Sequence, residues 1–128
     1  MAEWRDGGGR LRSGLVEVEL EVASSYRARM RGLLGRDGVD GALLLTPAGS
    51  MHTFRMRFAI DVAYLDRRLR VIAMTTMHPN RLGLPRFSSR HVLEAEAGAM
   101  GGWGLRVGSV VELWQGPGRP VQTSRSQV

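Results

Sequence analysis

The chain has 128 residues and a mass of 14.1 kDa, with 43% hydrophobic residues and a formal net charge of +6. That length and apolar share fit one compact domain and exclude a wholly disordered chain. There is no cysteine and all 18 basic residues are arginine, which excludes disulfides, thiolate metal sites, cysteine nucleophiles, Schiff-base lysines and a Walker-type phosphate lysine.

Residues 1–14 carry Glu3, Arg5, Asp6, Arg10 and Arg12 around the run Gly7-Gly8-Gly9. They contain no apolar stretch of the kind a signal peptide needs, and no segment approaches the ~20 apolar residues of a membrane span. The expected setting is the cytoplasm, with no membrane partner. Residues 1–14 read as a flexible N-terminal tail. Residues 115–128, rich in Gly, Pro, Ser and Gln, read as a flexible C-terminal tail. A single domain over residues 15–114 is expected between them.

The first strong element is Leu15–Val22, where Val16, Val18, Leu20 and Val22 alternate with Glu17, Glu19 and Glu21. Period-2 alternation predicts a strand with one buried and one acidic face. Ser24 and Ser25 can cap a short helix running to about Leu34, with Tyr26, Met30, Leu33 and Leu34 as its apolar stripe and Gly35 ending it. Strands follow at Ala42–Leu45, Met51–Phe58, Asp61–Leu65 and Leu69–Met77, the last two flanking a turn at Asp66-Arg67-Arg68. In Met51–Phe58 the alternation sets His52, Phe54, Met56 and Phe58 on one face. His91–Ala95 and Val110–Trp114 complete the set, and the glycine-rich Ala97–Leu105 has room for one helical turn. The predicted fold is mostly β within the α+β class: a compact antiparallel β-sandwich or small barrel with one or two short helices packed on it.

Several chemical signatures fail. Ala48-Gly49-Ser50-Met51-His52 lacks the second glycine of a nucleophile elbow. The glycines of Gly98–Gly104 lack dinucleotide-loop spacing. His52, His78 and His91 do not pair at a ligand spacing on one element, so no metal and no cofactor is expected. The positive charge is regional. Residues 55–90 hold eight arginines against Asp61 and Asp66, whereas residues 15–54 and 91–114 are net acidic. Arginine clusters can take phosphate or carboxylate in bidentate hydrogen bonds. They can equally pair with Glu17, Glu19, Glu21, Glu94 and Glu96 across strands. Only Phe87 offers a stacking aromatic beside them, so nucleic acid is not the favoured partner.

The densest polar run is His52-Thr53-Phe54-Arg55-Met56-Arg57-Phe58-Ala59-Ile60-Asp61. Its alternation implies a part-buried His52 and a buried Asp61, and a buried carboxylate must be paired or take up a proton. His52 or an arginine is the partner this pattern suggests. One reading is a polar network that fixes strand register. The other is a cleft in which Asp61 orients His52.

Three segments resemble the DUF192 family, also called UPF0127, small bacterial and archaeal domains of unknown function. Arg29-Met30-Arg31-Gly32-Leu33-Leu34-Gly35-Arg36 resembles its Arg-x-Arg-Gly-Leu-Met-x-Arg helix end. Met51-His52-Thr53-Phe54-Arg55-Met56-Arg57-Phe58-Ala59-Ile60-Asp61 resembles its central His-Thr-Phe motif. Val92-Leu93-Glu94-Ala95-Glu96-Ala97-Gly98 with Gly104-Leu105-Arg106-Val107-Gly108 resembles its closing segment. Ala48, Ala59 and Ser109 stand where many relatives of that family carry Cys, Pro and Asp. The resemblance implies a mostly antiparallel β fold and no established reaction. Its polar motif positions fall on Arg31, Arg36, His52, Arg57, Asp61 and Glu94.

These observations favour a non-enzymatic binding or accessory module. Its expected ligand-binding residues are His52, Arg55, Arg57, Asp61 and Glu94, and its expected partner is a small anionic or polar ligand or a peptide. A monomer is the default. The enzymatic alternative is a hydrolase-like or metal-assisted reaction with His52 and Asp61 as catalytic residues. A further alternative is nucleic-acid binding through residues 55–90.

Overall fold

The structure, a computed structural model, describes residues 4–116 and 120–122. Among these, the elements run β1 (Gly7–Ser13), β2 (Val16–Ala23), α1 (Tyr26–Arg31), β3 (Ala42–Leu45), β4 (Ile60–Leu65), β5 (Val71–Met77), β6 (His91–Glu96), α2 (Ala99–Gly102), β7 (Glu112–Gln115) and β8 (Pro120–Gln122). The strands form one sheet in the order β5-β4-β6-β3-β2-β1-β7-β8. Only β2 and β3 run parallel, and α1 lies in their connection because parallel neighbours cannot be joined by a tight turn. The mostly β architecture with short helices is as expected, but the sheet is not closed into a barrel. Its β5 edge is nevertheless tied to the segment that leads into β7. Val71 N–H donates to the Ser109 carbonyl at 2.8 Å, and Val111 N–H donates to the Leu69 carbonyl at 3.1 Å.

The sheet carries a core on each face. Leu11, Leu20, Leu44, Leu65, Leu93 and Leu113 lie on the face enclosed by the curl. Leu33, Leu43, Ile60, Val62, Tyr64 and Val92 lie on the other, covered by the segment after α1 and by the β3–β4 connection. β3 and β4 are buried on both faces, which is why they read as apolar runs without alternation. β2 keeps its alternation because its glutamates face solvent.

The boundaries differ from the expected ones at both ends. Residues 7–13 are not a tail but a strand paired with both β2 and β7. The β1–β2 turn places Gly14 at φ 61, a conformation that favours glycine in a two-residue hairpin loop. Asp6 Oδ1 accepts from the Ser24 and Ser25 N–H groups at 2.6 and 2.9 Å, and Trp4 packs 5.3 Å from the His91 ring. Of the expected C-terminal tail, Gln115 belongs to β7 and residues 120–122 form β8. Residues 1–3, 117–119 and 123–128 lie outside the described part.

Two further expectations are corrected near the candidate site. α1 ends at Arg31, because Gly32 leaves the helical conformation at φ 46. Tyr26 and Met30 are exposed, and only Leu33, beyond the helix, enters the core. Residues 51–58 form no strand. His52 makes a single antiparallel bridge to Leu82, and Arg55 sits at φ 65. The burial parity is also reversed at the start of this segment, with Met51 and Thr53 buried and His52 and Phe54 exposed. Thr53 decides this orientation. Its hydroxyl donates to the His78 carbonyl at 2.6 Å and accepts from Arg81 N–H at 2.8 Å, which fixes the loop over Tyr64 and Met77.

Candidate functional site

Two segments face each other above β6 and enclose an open groove of about 320 Å³. One wall is the end of α1 with the turn after it, residues 29–34. The other is residues 47–52, and Leu45, Met56 and Glu94 close the floor. The walls are cross-linked by Arg29, whose guanidinium donates to the Ser24 carbonyl at 3.3 Å and the Pro47 carbonyl at 3.2 Å. The second wall is held from behind by residues 80–86. Arg86 N–H donates to the Gly49 carbonyl and Gly83 N–H to the Met51 carbonyl, both at 2.8 Å, and Thr53 N–H donates to the Arg81 carbonyl, also at 2.8 Å. Gly83 is required here. A Cβ at that position would stand 2.7 Å from the Tyr64 hydroxyl and 3.0 Å from the Met51 carbonyl.

Glu94 lies opposite Leu43 of β3 and Val62 of β4, so strand parity turns it to the face under the groove. It is 3% exposed. Among the described residues its carboxyl accepts no hydrogen bond and joins no ion pair. Among the described residues no side-chain nitrogen or oxygen is both fully enclosed and unpaired, so the carboxyl keeps an opening onto the groove it lines. Burial pushes it from an ordinary value of 4.5 up to about 8, opposed only in part by the charge of Arg36. Arg36 itself is committed to Glu21 through paired hydrogen bonds of 3.0 and 2.9 Å. At neutral pH Glu94 is therefore mostly a protonated acid, able to donate one hydrogen bond and to accept others.

Other polar groups along the groove also lack partners. The Arg31 side chain is exposed and makes no hydrogen bond or ion pair among the described residues. The backbone N–H and C=O groups of Ser50 and His52 are likewise unpaired among the described residues. In the bridge between His52 and Leu82 the flanking residues make the hydrogen bonds, so the groups of His52 point to the opposite edge. Ser50 lies between Gly49 and Met51, whose carbonyls both face residues 80–86, so its own carbonyl faces the opposite way.

The expected site residues are therefore divided. His52 and Glu94 line the groove. Arg57 is paired with Asp37 at 2.9 Å on an exposed surface, and Arg55 holds a loop turn in which its N–H donates to Asn80 Oδ1 at 2.9 Å. Asp61 is on the other sheet face. Its Oδ2 accepts from Gly98 N–H at 2.9 Å and Met100 N–H at 3.1 Å, and its Oδ1 accepts from the Thr76 hydroxyl at 2.8 Å. It caps α2, which has no capping side chain of its own. Asp61 and His52 are thus not brought together. His52 instead accepts from Phe54 N–H at 3.2 Å and stacks on the Phe54 ring at 4.8 Å. Among the described residues, no three His, Asp or Glu side chains are grouped so as to hold a metal ion. Arg29 and Ser50 were not anticipated as site residues. The paired arginines ahead of Gly32 were the available signal for the first, and nothing local marks the second.

A sheet with short helices and an open polar groove defines a small β-rich domain of a kind with no assigned reaction. The chain matches the DUF192 family model, described as an uncharacterized family, over residues 10–113, and it belongs to that family. A UPF0127 protein of Pyrococcus horikoshii is 31% identical, over 64% of this chain and 76% of its own length. Another from Pyrococcus abyssi is 28% identical, over 75% of this chain and 86% of its own length. Among solved structures, a protein of unknown function from Novosphingobium aromaticivorans superposes with a TM-score of 0.68 at 16% identity, over 82% of this chain and 83% of that one. A Sinorhizobium meliloti protein, provisionally described as a transcription regulator, gives a TM-score of 0.68 at 18% identity, over 87% and 97% of the two chains. These two likenesses establish the fold alone. No helix among the described residues is long and apolar enough to cross a membrane.

Proposed function

We propose that the protein is a binding module whose groove between residues 29–34 and 47–52 takes a small anionic or polar ligand or a peptide. The observation that carries this reading is Glu94, a nearly buried carboxyl with no hydrogen-bond partner among the described residues, opening onto the groove. The fold supplies this group with no hydrogen-bond partner, and a ligand seated in the groove can supply one. The charge around it selects the sign. Arg29 and Arg31 line the groove as cations while Glu94 is neutral at pH 7, so the lining is net positive and favours an anion. A bound carboxylate would accept from Arg31 and from the Glu94 acid.

The test is a titration with acetate, N-acetylglycine and acetamide, followed by the backbone amide signals of residues 30–34 and 48–52. At least one carboxylate is expected to shift these signals, and its affinity should fall as pH rises through about 8, where Glu94 ionises. Silence of the groove amides to all three compounds would end this reading.

A second reading has one observation behind it. Arg67, Arg68 and Arg90 line a separate concavity of about 300 Å³ together with Asp66 and with Phe87, whose side chain is fully exposed. Arginine beside an exposed aromatic suits a stacked base and its phosphate. Binding of a single-stranded oligonucleotide that weakens steeply with salt, and is lost in Phe87→Ala, would support it. No binding at low salt would dismiss it.

A further inference from the structure

The groove's unpartnered groups are arranged along one line of chain. Ser50 and His52 present free backbone donors and acceptors on the edge of residues 47–52 that faces away from residues 80–86. Residues 80–86 are absent from the groove lining, so the free edge is the groove edge. An edge of this type is a template for one more strand. It is only two hydrogen-bonding residues long, which suits the end of a peptide better than its middle. Across from it stands Arg31, a cation without an acceptor, and below lies the Glu94 carboxyl. Met30 and Leu34 are exposed apolar side chains on the same wall, placed to receive an apolar side chain of the occupant.

We propose that the occupant is the carboxy-terminal end of an extended peptide, added as a strand along Ser50–His52 with its terminal carboxylate held between Arg31 and the Glu94 carboxyl. The proposal rests on the ligand-binding reading of the groove and narrows it. Each element has its own role. The strand edge recognises the peptide backbone whatever its sequence. Arg31 and Glu94 recognise the free terminus, since an internal segment would bring no carboxylate. Met30 and Leu34 favour an apolar residue near the end. Free phosphate or an internal loop would use the cation and leave the strand edge idle.

Acetyl-Val-Leu-Val with a free carboxylate is the probe, compared with its C-terminal amide and with a version N-methylated at the leucine and final valine. Binding is read by calorimetry and by the Ser50 and His52 amide signals. The free acid should bind at least ten times more tightly than either derivative, with downfield shifts of one or both amides. Arg31→Ala should lose about tenfold for the free acid and little for the amide. That side chain is exposed, so the variant is expected to fold. If acetate or N-acetylvaline binds as well as the tripeptide and N-methylation has no effect, strand addition is wrong while the small-ligand groove survives. If neither the peptide nor the small carboxylates perturb the groove, both readings fail together. Equal binding of acid and amide would overturn the terminal recognition.

Discussion

Asp61 and Glu94 are both buried carboxylates on adjacent central strands, one step apart in register, yet the sheet turns them to opposite faces. On the inner face of the curl, Asp61 has three hydrogen-bond donors, two of them backbone amides at the start of α2. On the other face Glu94 has none among the described residues and opens onto a groove. The contrast separates structure from function. A buried carboxyl group that is fully hydrogen-bonded fixes neighbouring elements, whereas one that the fold leaves without a partner is free to engage a ligand.

The largest expected effect is on the structural side. Asp61→Ala would leave the Gly98 and Met100 amides without their acceptor, and should destabilise the fold by about 3–4 kcal/mol in denaturant unfolding. Asp61→Asn keeps an acceptor and should cost visibly less. A loss below about 1 kcal/mol for the alanine variant would mean that α2 is not held through Asp61.

On the groove side the expected sign is reversed. Glu94→Leu should leave stability unchanged or raise it by about 1–2 kcal/mol at pH 7, because it removes an unsatisfied acid from an apolar setting. The pH dependence gives a sharper measurement. Between 4.5 and about 8 the folded chain holds a proton on Glu94 that the unfolded chain has released. Stability contributed by Glu94 therefore falls as pH rises through that window. Glu94→Gln should flatten this slope, and parallel curves for the two proteins would contradict the assignment.

His91 opposes that trend from the inner face. Its ring is buried, its Nδ1 is 2.7 Å from the Thr46 hydroxyl, and burial followed by the charge of Arg90 lowers its pKa from 6.5 to about 4. Between those values the unfolded chain binds a proton that the folded chain refuses. Stability is thus lost as pH falls through 6.5 towards 4. A ring titration by NMR should show a midpoint near 4, and a midpoint near 6.5 would place the imidazole in solvent.

The sequence pattern made both carboxylates visible but could not pair them. Alternation in Asp61-Val62-Ala63 marked Asp61 as buried, and that holds at 6% exposure. Its partners, however, come from Thr76 and from Gly98 and Met100, which chain order does not associate with it. His52 looked like the natural partner because it precedes Asp61 in one motif. The reversal of parity at Thr53 and the positive φ of Arg55 break the strand between them, and neither shows in a period-2 pattern. The apolar stripe of α1 misled in a similar way. Tyr26 and Met30 have helical spacing, but the helix stops at Gly32 before that stripe can pack, leaving Met30 on the groove wall. Strands β2, β3, β4 and β6 were legible because their patterns reflect burial by immediate neighbours. The groove was not, because its walls are loops fixed by distant backbone hydrogen bonds.

Arg57 supplies the smallest effect and a control for the comparison. Chain order places it between His52 and Asp61, which made it a natural candidate for their site. In the fold its guanidinium meets Asp37 with 59% and 87% of the two side chains exposed, away from the groove lining. An exposed pair of this kind contributes a few tenths of a kcal/mol and is screened by salt. Arg57→Ala should therefore change neither the melting temperature nor the affinity for a carboxylate probe beyond measurement error, while Arg31→Ala weakens binding. If Arg57→Ala weakens binding as strongly, the site extends past the groove to the Asp37 surface. The division between the two faces would then have to be redrawn around the motif instead of around Glu94.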